Sequence, residues 1–403
     1  MDFGIQDINE AKQRLDGLVR KTHIMPFDFA SKVLSANVRL KCENHQNTGS
    51  FKIRGAANKI VKLKDSVSKK DKFITASAGN HAQGVASAAS KCGMKSKVIM
   101  PSAAPLAKIE ATKDYGAEVE LYGSCFDEAY DYACKQDGIF IHPYNDYDVI
   151  AGQGTIGLEI LDDFADVDIV LAPAGGGGLL SGVACAIKNV NPKVKVIGVQ
   201  SENANAIAES FAAKKKIVKN SAGTIADGIA VGNPGDKCVD IINKYVDDVI
   251  SVKDEEIAAS IMYLLERCKQ VVEPAGAASV AALMNKQKMF KGKNICSILS
   301  GGNVDMNTLG NIIDQGLFSR FRKAEFILQV EDSSKRIEDI MSIFIDSGAN
   351  ILYFTFDKIP KRQDVALQRI YIACELRGEE HYKSIYSKLN SLGYKISNNF
   401  FEH

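Results

Sequence analysis

One lysine stands in a local sequence that suits covalent chemistry with an aldehyde. Lys52 follows Gly49-Ser50-Phe51, a turn of glycine and serine that opens a helix. Ser50 can cap this helix, which would place Lys52 in its first turn. The positive helix end and partial burial both disfavour the ammonium ion, so we expect a lysine pKa below the usual value of about 10.4 and an amine able to form an imine. The alternative is that Lys52 is one of 50 basic side chains on a solvated surface.

A run of four glycines offers a place for a phosphate: Gly175, Gly176, Gly177 and Gly178. The run follows an apolar strand at residues 169–172 and enters a helix that we expect to begin near Leu179. Backbone N–H groups at a helix start bind anions when no side chain shields them. A dinucleotide fingerprint does not fit, because Leu180 stands where its last glycine would fall, and a purely structural turn is the alternative. The imine-forming amine and the phosphate cradle together predict pyridoxal 5′-phosphate as the cofactor.

A second loop has groups that suit the substrate: Ser77, Ala78, Gly79, Asn80 and His81. Its backbone N–H groups can hold a carboxylate at a helix start, and the Asn80 amide can donate to a phenolic oxygen. His81 is a candidate base or metal ligand, with a buried structural histidine as the alternative. No second histidine has the spacing of a metal ligand, so we expect no metal site.

Ser300 follows the last strand of the predicted catalytic region. A hydroxyl that faced the pyridine nitrogen of the cofactor would hydrogen-bond to it without enforcing a full positive charge. That arrangement suits rapid expulsion of a β-substituent. An ordinary turn serine is the alternative.

The strand pattern brings these loops together. From about residue 72 to residue 302, short apolar runs alternate with helical patterns, which predicts parallel sheets covered by helices on both faces. Ligands bind beyond the carboxyl ends of such strands. The loops at Ser77, Gly175 and Ser300 all follow strand ends, so we expect them to meet in one crevice.

The pattern changes after about residue 316. Strand, helix, strand, strand, helix and strand follow in order, which predicts a small ferredoxin-like α+β domain. We therefore expect an α/β catalytic domain at residues 1–318, with a small lobe of about 50–145 inserted in a larger lobe. A linker at residues 319–324 would lead to the small domain at 325–403.

Composition argues against several classes of partner. The net charge of +1 and the lack of a dense basic run argue against nucleic acid as a partner. No apolar run approaches the length that spans a membrane, and the first residues do not resemble a signal peptide. The nine cysteines are scattered without a CxxC pair, as reduced thiols are. We expect a cytoplasmic enzyme that acts on a small molecule.

The chain resembles the fold-type II pyridoxal-phosphate enzymes over nearly its whole length. Within them it is similar to the threonine ammonia-lyases of medium length, which carry one C-terminal ACT domain. The resemblance depends on seven motifs: KCEN at 41–44, TGSFKIRGA at 48–56, SAGNH at 77–81, GGGGL at 175–179, ADG at 226–228, EPAG at 273–276 and LSGGN at 299–303.

The resemblance implies a role for each matching residue. Lys52 would be the catalytic residue, would hold the cofactor as a Schiff base and would move the substrate α-proton. The other cofactor-binding residues would be Phe51, Asn80, Gly175, Gly176, Gly177, Gly178, Leu179, Gly228, Glu273 and Ser300. The substrate carboxylate would bind at Ser77, Ala78, Gly79, Asn80 and His81.

The resemblance also implies an activity and an assembly. The activity would be dehydrative deamination of L-threonine to 2-oxobutanoate and ammonia, with L-serine as a weaker substrate. The ACT-like domain would bind a small effector, an amino acid or a nucleotide, near residues 348–350, or would serve assembly alone. A homotetramer is expected.

Two departures help to choose within the family. Serine racemases carry a serine acid/base where this chain has Ala78, so elimination should dominate over racemisation. Those racemases also have acidic ligands for a divalent ion where this chain has Gln200 and Ala206, so we expect no divalent-ion site. A monovalent ion held by carbonyl oxygens is an alternative. The alternatives are a serine dehydratase or serine racemase of the same family, and a catalytically silent amino-acid sensor.

Overall fold

The computed structural model describes residues 3–68, 70–220, 223–331, 334–358 and 367–397. The chain forms two compact units, Met1–Val304 and Asp305–His403. Among the described residues we find no helix with the length and apolar character that crossing a bilayer requires.

The first unit contains two sheets. Its strands are β1 (Ile24–Pro26), β2 (Asn37–Cys42), β3 (Lys72–Ala76), β4 (Lys95–Met100), β5 (Glu118–Leu121), β6 (Ile139–Phe140), β7 (Ile169–Pro173), β8 (Lys195–Ser201), β9 (Asp248–Val252) and β10 (Asn294–Leu299). The larger sheet has the order β1-β2-β10-β7-β8-β9, and the smaller has the order β5-β4-β3-β6. β1 pairs antiparallel with β2, and the other neighbours pair in parallel. The predicted parallel α/β fold is confirmed.

Helices follow most of these strands, because parallel neighbours in a sheet must be joined by long crossover connections. They are α1 (Ile5–Arg14), α2 (Asp28–Leu34), α3 (Lys52–Leu63), α4 (Asn80–Lys91), α5 (Leu106–Asp114), α6 (Phe126–Cys134), α7 (Tyr147–Asp163), α8 (Gly178–Val190), α9 (Ala206–Ala213), α10 (Asp236–Tyr245), α11 (Asp254–Tyr263), α12 (Pro274–Asn285) and α13 (Gln287–Phe290). Helices α7 and α8 are buried over most of their length, since both pack in the core beside the larger sheet. Their apolar sequences match that position.

Four charged side chains pair inside the first unit, close to the start of α3. The Arg54 guanidinium lies 2.7 Å from a Glu43 oxygen and 2.6 Å from a Glu159 oxygen. The Lys41 amine lies 2.6 Å from the other Glu159 oxygen. Arg54 and Lys41 are 1% and 0% exposed, so these pairs are shielded from water. Because Arg54 follows Lys52 by two residues, the network anchors the first turn of α3.

The second unit has the predicted ferredoxin-like order after one additional helix. Its elements are α14 (Met306–Ser319), β11 (Lys323–Glu331), α15 (Ser334–Ser347), β12 (Asn350–Lys358), β13 (Leu367–Glu375), α16 (Glu379–Ser391) and β14 (Lys395–Ser397). The strands form an antiparallel sheet in the order β12-β13-β11-β14. Phe326, Phe344 and Tyr382 pack together in its core. The expected domain limits stay predictions, and the two units divide before α14 rather than after it.

Candidate active site

Lys52 is the first residue of α3, as the sequence predicts, but its cap differs. The prediction that Ser50 caps the helix is wrong, because Phe51 occupies the cap position and no side chain caps the helix. The backbone of Ser50 instead pairs antiparallel with Gly301, which holds it in an extended conformation before the helix. The Ser50 hydroxyl has no hydrogen-bond partner among the described residues.

The Lys52 amine lies in a site that favours its neutral form. Burial lowers the pKa of Lys52 to about 8, although nearby Cys238 and Glu273 act in the opposite direction. The amine donates a hydrogen bond to the Pro143 carbonyl oxygen at 3.1 Å and lies 5.4 Å from the centre of the Phe51 ring. The expected fall in pKa is thus present, and burial is its main cause.

Backbone hydrogen bonds join the Lys52 loop to the Ser300 loop. The Phe51 N–H donates to the Ser300 carbonyl oxygen at 3.0 Å, and the Gly302 N–H donates to the Gly49 carbonyl oxygen at 2.8 Å. Gly49 has a φ of +70°, and a methyl group there would collide with the Asn303 side chain. The structure therefore brings together two loops that are about 250 residues apart in the sequence.

Asn80 lies between Glu273 and Asn303. Its Nδ2 donates to Glu273 Oε1 at 2.7 Å, and its Oδ1 accepts from Asn303 Nδ2 at 2.7 Å. Burial raises the pKa of Glu273 to about 7, with a smaller contribution from Asp227, while the Asn80 hydrogen bond lowers it. A methyl group at Gly228 would lie 4.0 Å from Glu273 Oε1, so these predicted residues share one site.

The loop at residues 77–81 ends at the start of α4. Ser77 Oγ accepts from the Gly79 N–H at 3.2 Å, and a methyl group at Gly79 would meet nothing within 4 Å. His81 is buried, and its Nε2 pairs with the Ile141 carbonyl oxygen at 3.0 Å. Burial, followed by the nearby Lys52, lowers the pKa of His81 to about 3, so the ring is neutral. This favours the structural alternative for the His81 side chain and leaves its backbone N–H as the group that can meet a carboxylate.

The glycine run lies at the start of α8, which begins at Gly178, one residue from the expected position. Methyl groups at three of its glycines would crowd other parts of the chain: 2.9 Å from Ile229 Cα at Gly175, 2.5 Å from the Tyr144 ring at Gly176 and 2.7 Å from Cys238 Cβ at Gly177. Packing thus requires these glycines in addition to any ligand.

The N–H groups of the glycine run are available to an anion. Among the described residues, no carbonyl accepts from the N–H groups of Gly176, Gly177, Gly178 or Leu179. Leu179 is 4% exposed and packs its side chain into the core, which leaves its N–H at the helix start. Free N–H groups at a helix N-terminus fit a phosphate. The predicted cradle therefore fits pyridoxal phosphate.

Four site residues were missed by the sequence reasoning: Pro143, Tyr144, Cys238 and Asn303. The first two lie between β6 and α7 and reach Lys52 and the glycine run, and Cys238 packs under Gly177. None of these three belongs to a pattern with a chemical signature. Asn303 belongs to the LSGGN motif but had no predicted role, and the structure shows that its amide donates to Asn80 Oδ1.

Comparison with known proteins identifies similar chains. The family described as "Pyridoxal-phosphate dependent enzyme" matches residues 15–301. The chain is 43% identical over 396 residues to the L-threonine ammonia-lyase of Thermotoga maritima. This alignment covers 97% of this chain and 98% of that protein.

Solved structures give a similar result. The processed form of threonine deaminase isoform 2 from Solanum lycopersicum aligns with a TM-score of 0.73 and 33% identity, over 77% of this chain and 92% of that chain. Maize serine racemase aligns with a TM-score of 0.72 and 35% identity, over 78% of this chain and 98% of that chain.

Proposed function

The chain belongs to the pyridoxal-phosphate-dependent enzyme family, and on this premise we propose that it converts L-threonine into 2-oxobutanoate and ammonia. The similarity to the Thermotoga maritima L-threonine ammonia-lyase extends over nearly the full chain and supports this substrate. The observation that carries the proposal is the Lys52 amine, whose pKa of about 8 makes it available for covalent attachment and proton transfer.

The site residues would hold the cofactor by the groups they present. The free N–H groups from Gly176 to Leu179 would bind the phosphate. The Asn80 amide would bind the phenolic oxygen, and the Ser300 hydroxyl would bind the pyridine nitrogen. The cofactor would supply an electron sink for the α-carbon of the amino-acid substrate, which would make the α-proton acidic.

Lys52 would move the α-proton. Because its pKa is lowered to about 8, much of the Lys52 Nζ would be neutral near pH 8 and able to accept the α-proton of a bound amino acid. Net loss of the α-proton and the β-hydroxyl as one water, followed by addition of one water at the former α-carbon, would convert L-threonine into 2-oxobutanoate and ammonia.

The loop at residues 77–81 would orient the substrate. A methyl group at Gly79 would meet nothing within 4 Å, so the start of α4 has room for a substrate carboxylate near its N–H groups. Ala78 has no proton to give from the opposite side of the substrate, so return of a proton with inverted configuration is disfavoured. This supports elimination over racemisation.

The test compares two lysines on the same helix. Lys52→Ala should reduce 2-oxobutanoate release from L-threonine by more than about 10³-fold, since both the attachment point and the base are lost. Lys62→Ala should retain activity, because Lys62 is exposed and pairs with Asp148. Borohydride reduction followed by peptide mass spectrometry should place the cofactor on Lys52. A cofactor adduct on another lysine, or full activity of Lys52→Ala, would refute the proposal.

Serine chemistry is a second candidate, favoured by the similarity to maize serine racemase. Measuring kcat/KM for L-threonine and L-serine, with chiral analysis of the serine that remains, separates the two. A higher kcat/KM for L-serine, or accumulation of D-serine, would favour this candidate.

We further propose regulation through the second unit and a homotetrameric assembly. Residues 348–350 follow α15, and Arg377 donates to the Ser347 carbonyl oxygen at 2.8 Å beside them, which would suit a small anionic effector. Threonine saturation curves with isoleucine, valine, AMP and ADP test this, and an unchanged curve would favour a role in assembly alone. Sedimentation measures the oligomeric state. A cytoplasmic location stays a prediction.

A further inference from the structure

One short turn connects β6 of the smaller sheet to helix α7 in the first unit. It comprises residues 142–145, between Phe140 at the end of β6 and Tyr147 at the start of α7, and is called the connecting turn below. The residue before it is fixed on the smaller sheet, since the Ile141 N–H donates to the Ile74 carbonyl oxygen at 2.7 Å. The turn contains none of the residues that the sequence singled out.

The imidazole of His142 holds the connecting turn from within. Its Nδ1 accepts from the Tyr144 N–H at 3.2 Å and from the Asn145 N–H at 2.8 Å. Backbone N–H groups are always donors, so Nδ1 carries a lone pair and the ring proton lies on Nε2. Two consecutive amides thus depend on one side-chain acceptor.

The ring is neutral and fixed in place. Burial, followed by the charge of Lys52, lowers the pKa of His142 to about 4, so Nδ1 stays an acceptor at neutral pH. Asp146 raises this pKa and Lys237 lowers it. The ring packs edge-on against Tyr144, with ring centres 4.7 Å apart, and edge-on against two other aromatic rings, Tyr130 and Phe140.

The connecting turn contacts both parts of the cofactor site. The Pro143 carbonyl oxygen accepts from the Lys52 amine at 3.1 Å. The Tyr144 ring fills the space next to Gly176, and the main chain of Tyr144 lies against Gly178. The Tyr144 hydroxyl donates to the Asn233 carbonyl oxygen at 3.0 Å.

The end of the turn closes this set of contacts. Asn145 Oδ1 accepts from the Lys237 N–H at 3.1 Å, at the start of α10. The nearby Gly235 N–H donates to the Gly176 carbonyl oxygen at 3.1 Å. The turn therefore sets the position of the glycine run relative to Lys52.

We propose that His142 is a positioning residue for the cofactor site. By accepting from two successive amides, its Nδ1 holds the turn that presents the Pro143 carbonyl to Lys52 and the Tyr144 ring to the glycine run. This role rests on the proposed use of pyridoxal phosphate. Without the acceptor the turn relaxes, and cofactor binding must restore it at a cost in affinity.

Two substitutions separate the acceptor from the ring. His142→Phe keeps the aromatic packing and removes the acceptor. His142→Asn removes the ring, but its Oδ1 can accept from the amide two residues ahead, as in an Asx-turn. The full chain is stripped of cofactor and titrated with pyridoxal phosphate, and thermal unfolding of the cofactor-free proteins is measured in parallel.

The two variants should differ. The dissociation constant of pyridoxal phosphate should rise about 5- to 100-fold in His142→Phe, as the loss of two hydrogen bonds implies, and stay within about threefold of wild type in His142→Asn. The pH midpoint of the absorbance of the lysine-bound cofactor should differ from wild type in His142→Phe and equal the wild-type value in His142→Asn. If His142 served only the stability of the fold, His142→Phe would lower the unfolding temperature and leave that pH midpoint unchanged.

Other outcomes overturn the role of His142. Equal affinities in wild type and His142→Phe, or equal losses in both variants, would do so. If His142→Phe does not fold, the affinity of His142→Asn decides the question. A dissociation constant within about threefold of wild type supports the role, and any larger rise overturns it. Failure of the wild-type chain to take up pyridoxal phosphate would overturn the proposed function as well, so the two failures are distinguishable.

Discussion

Replacing Arg54 with methionine would leave a buried negative charge two residues from Lys52 in helix α3. In the wild type, the charges of Arg54, Lys41, Glu43 and Glu159 cancel in a network that is almost fully shielded from water. Arg54 donates to both oxygens of each carboxylate. Methionine leaves two carboxylates with one lysine. Breaking a buried pair in this way costs about 3–5 kcal/mol of the free energy of unfolding.

The size of this loss should depend on pH. In the wild type, burial raises the Glu43 pKa, but Arg54, together with Lys41 and a hydrogen bond from Thr22, holds the pKa below its usual 4.5. Stability from such a carboxyl is present above pH 4.5 and is lost as the pH falls through the folded-state pKa. In the variant, burial dominates and raises the Glu43 pKa, so protonation relieves the buried charge. The difference between the two proteins is therefore largest near pH 7 and narrows towards about pH 5.

Urea unfolding followed by circular dichroism at several pH values measures this difference. Lys12→Met is the control, because Lys12 pairs with Asp162 at the surface, where both side chains are about half exposed. That change should cost about 1 kcal/mol or less. A loss in Arg54→Met no larger than in the control, or one that grows as the pH falls, would refute the reasoning.

Three further predictions concern the site. Gly49→Ala should destabilise the protein more than Gly17→Ala, since both glycines have a φ of +70° but only a methyl group at Gly49 would collide with Asn303. Thermal unfolding compares the two variants, and equal losses of stability would exclude the collision as the cause. The rate at which cofactor-free protein takes up pyridoxal phosphate should rise about tenfold per pH unit below pH 8 and level off above it, because only the neutral Lys52 amine attacks the cofactor aldehyde. Stopped-flow absorbance measures this rate, and a rate that does not change with pH would contradict the lowered Lys52 pKa. Ala78→Ser should increase formation of D-serine from L-serine, as chiral chromatography would detect; unchanged D-serine would show that position 78 does not control racemisation.

The fold was largely predictable because its signals are local. Alternating apolar runs and helical patterns between residues 72 and 302 predicted parallel strands, and the large sheet is parallel except at β1. The order of elements in the second unit also followed from local periodicity. The prediction that Ser50 caps α3 was wrong because the Ser50 backbone pairs with Gly301, which is far away in the sequence. A local sequence pattern cannot reveal such a pairing.

The sequence by itself determined which groups can do chemistry here: a lysine at a helix start, a run of glycines, and polar residues at the ends of parallel strands. Those are properties of residue type and spacing. Only the tertiary structure decided how the groups are tuned and held. The Lys52 pKa falls because surrounding protein excludes water, and Pro143, Tyr144 and Cys238 enter the site through contacts with segments that are distant in the sequence. Burial and long-range contact arise only when the chain folds, which is why no local pattern could reveal them.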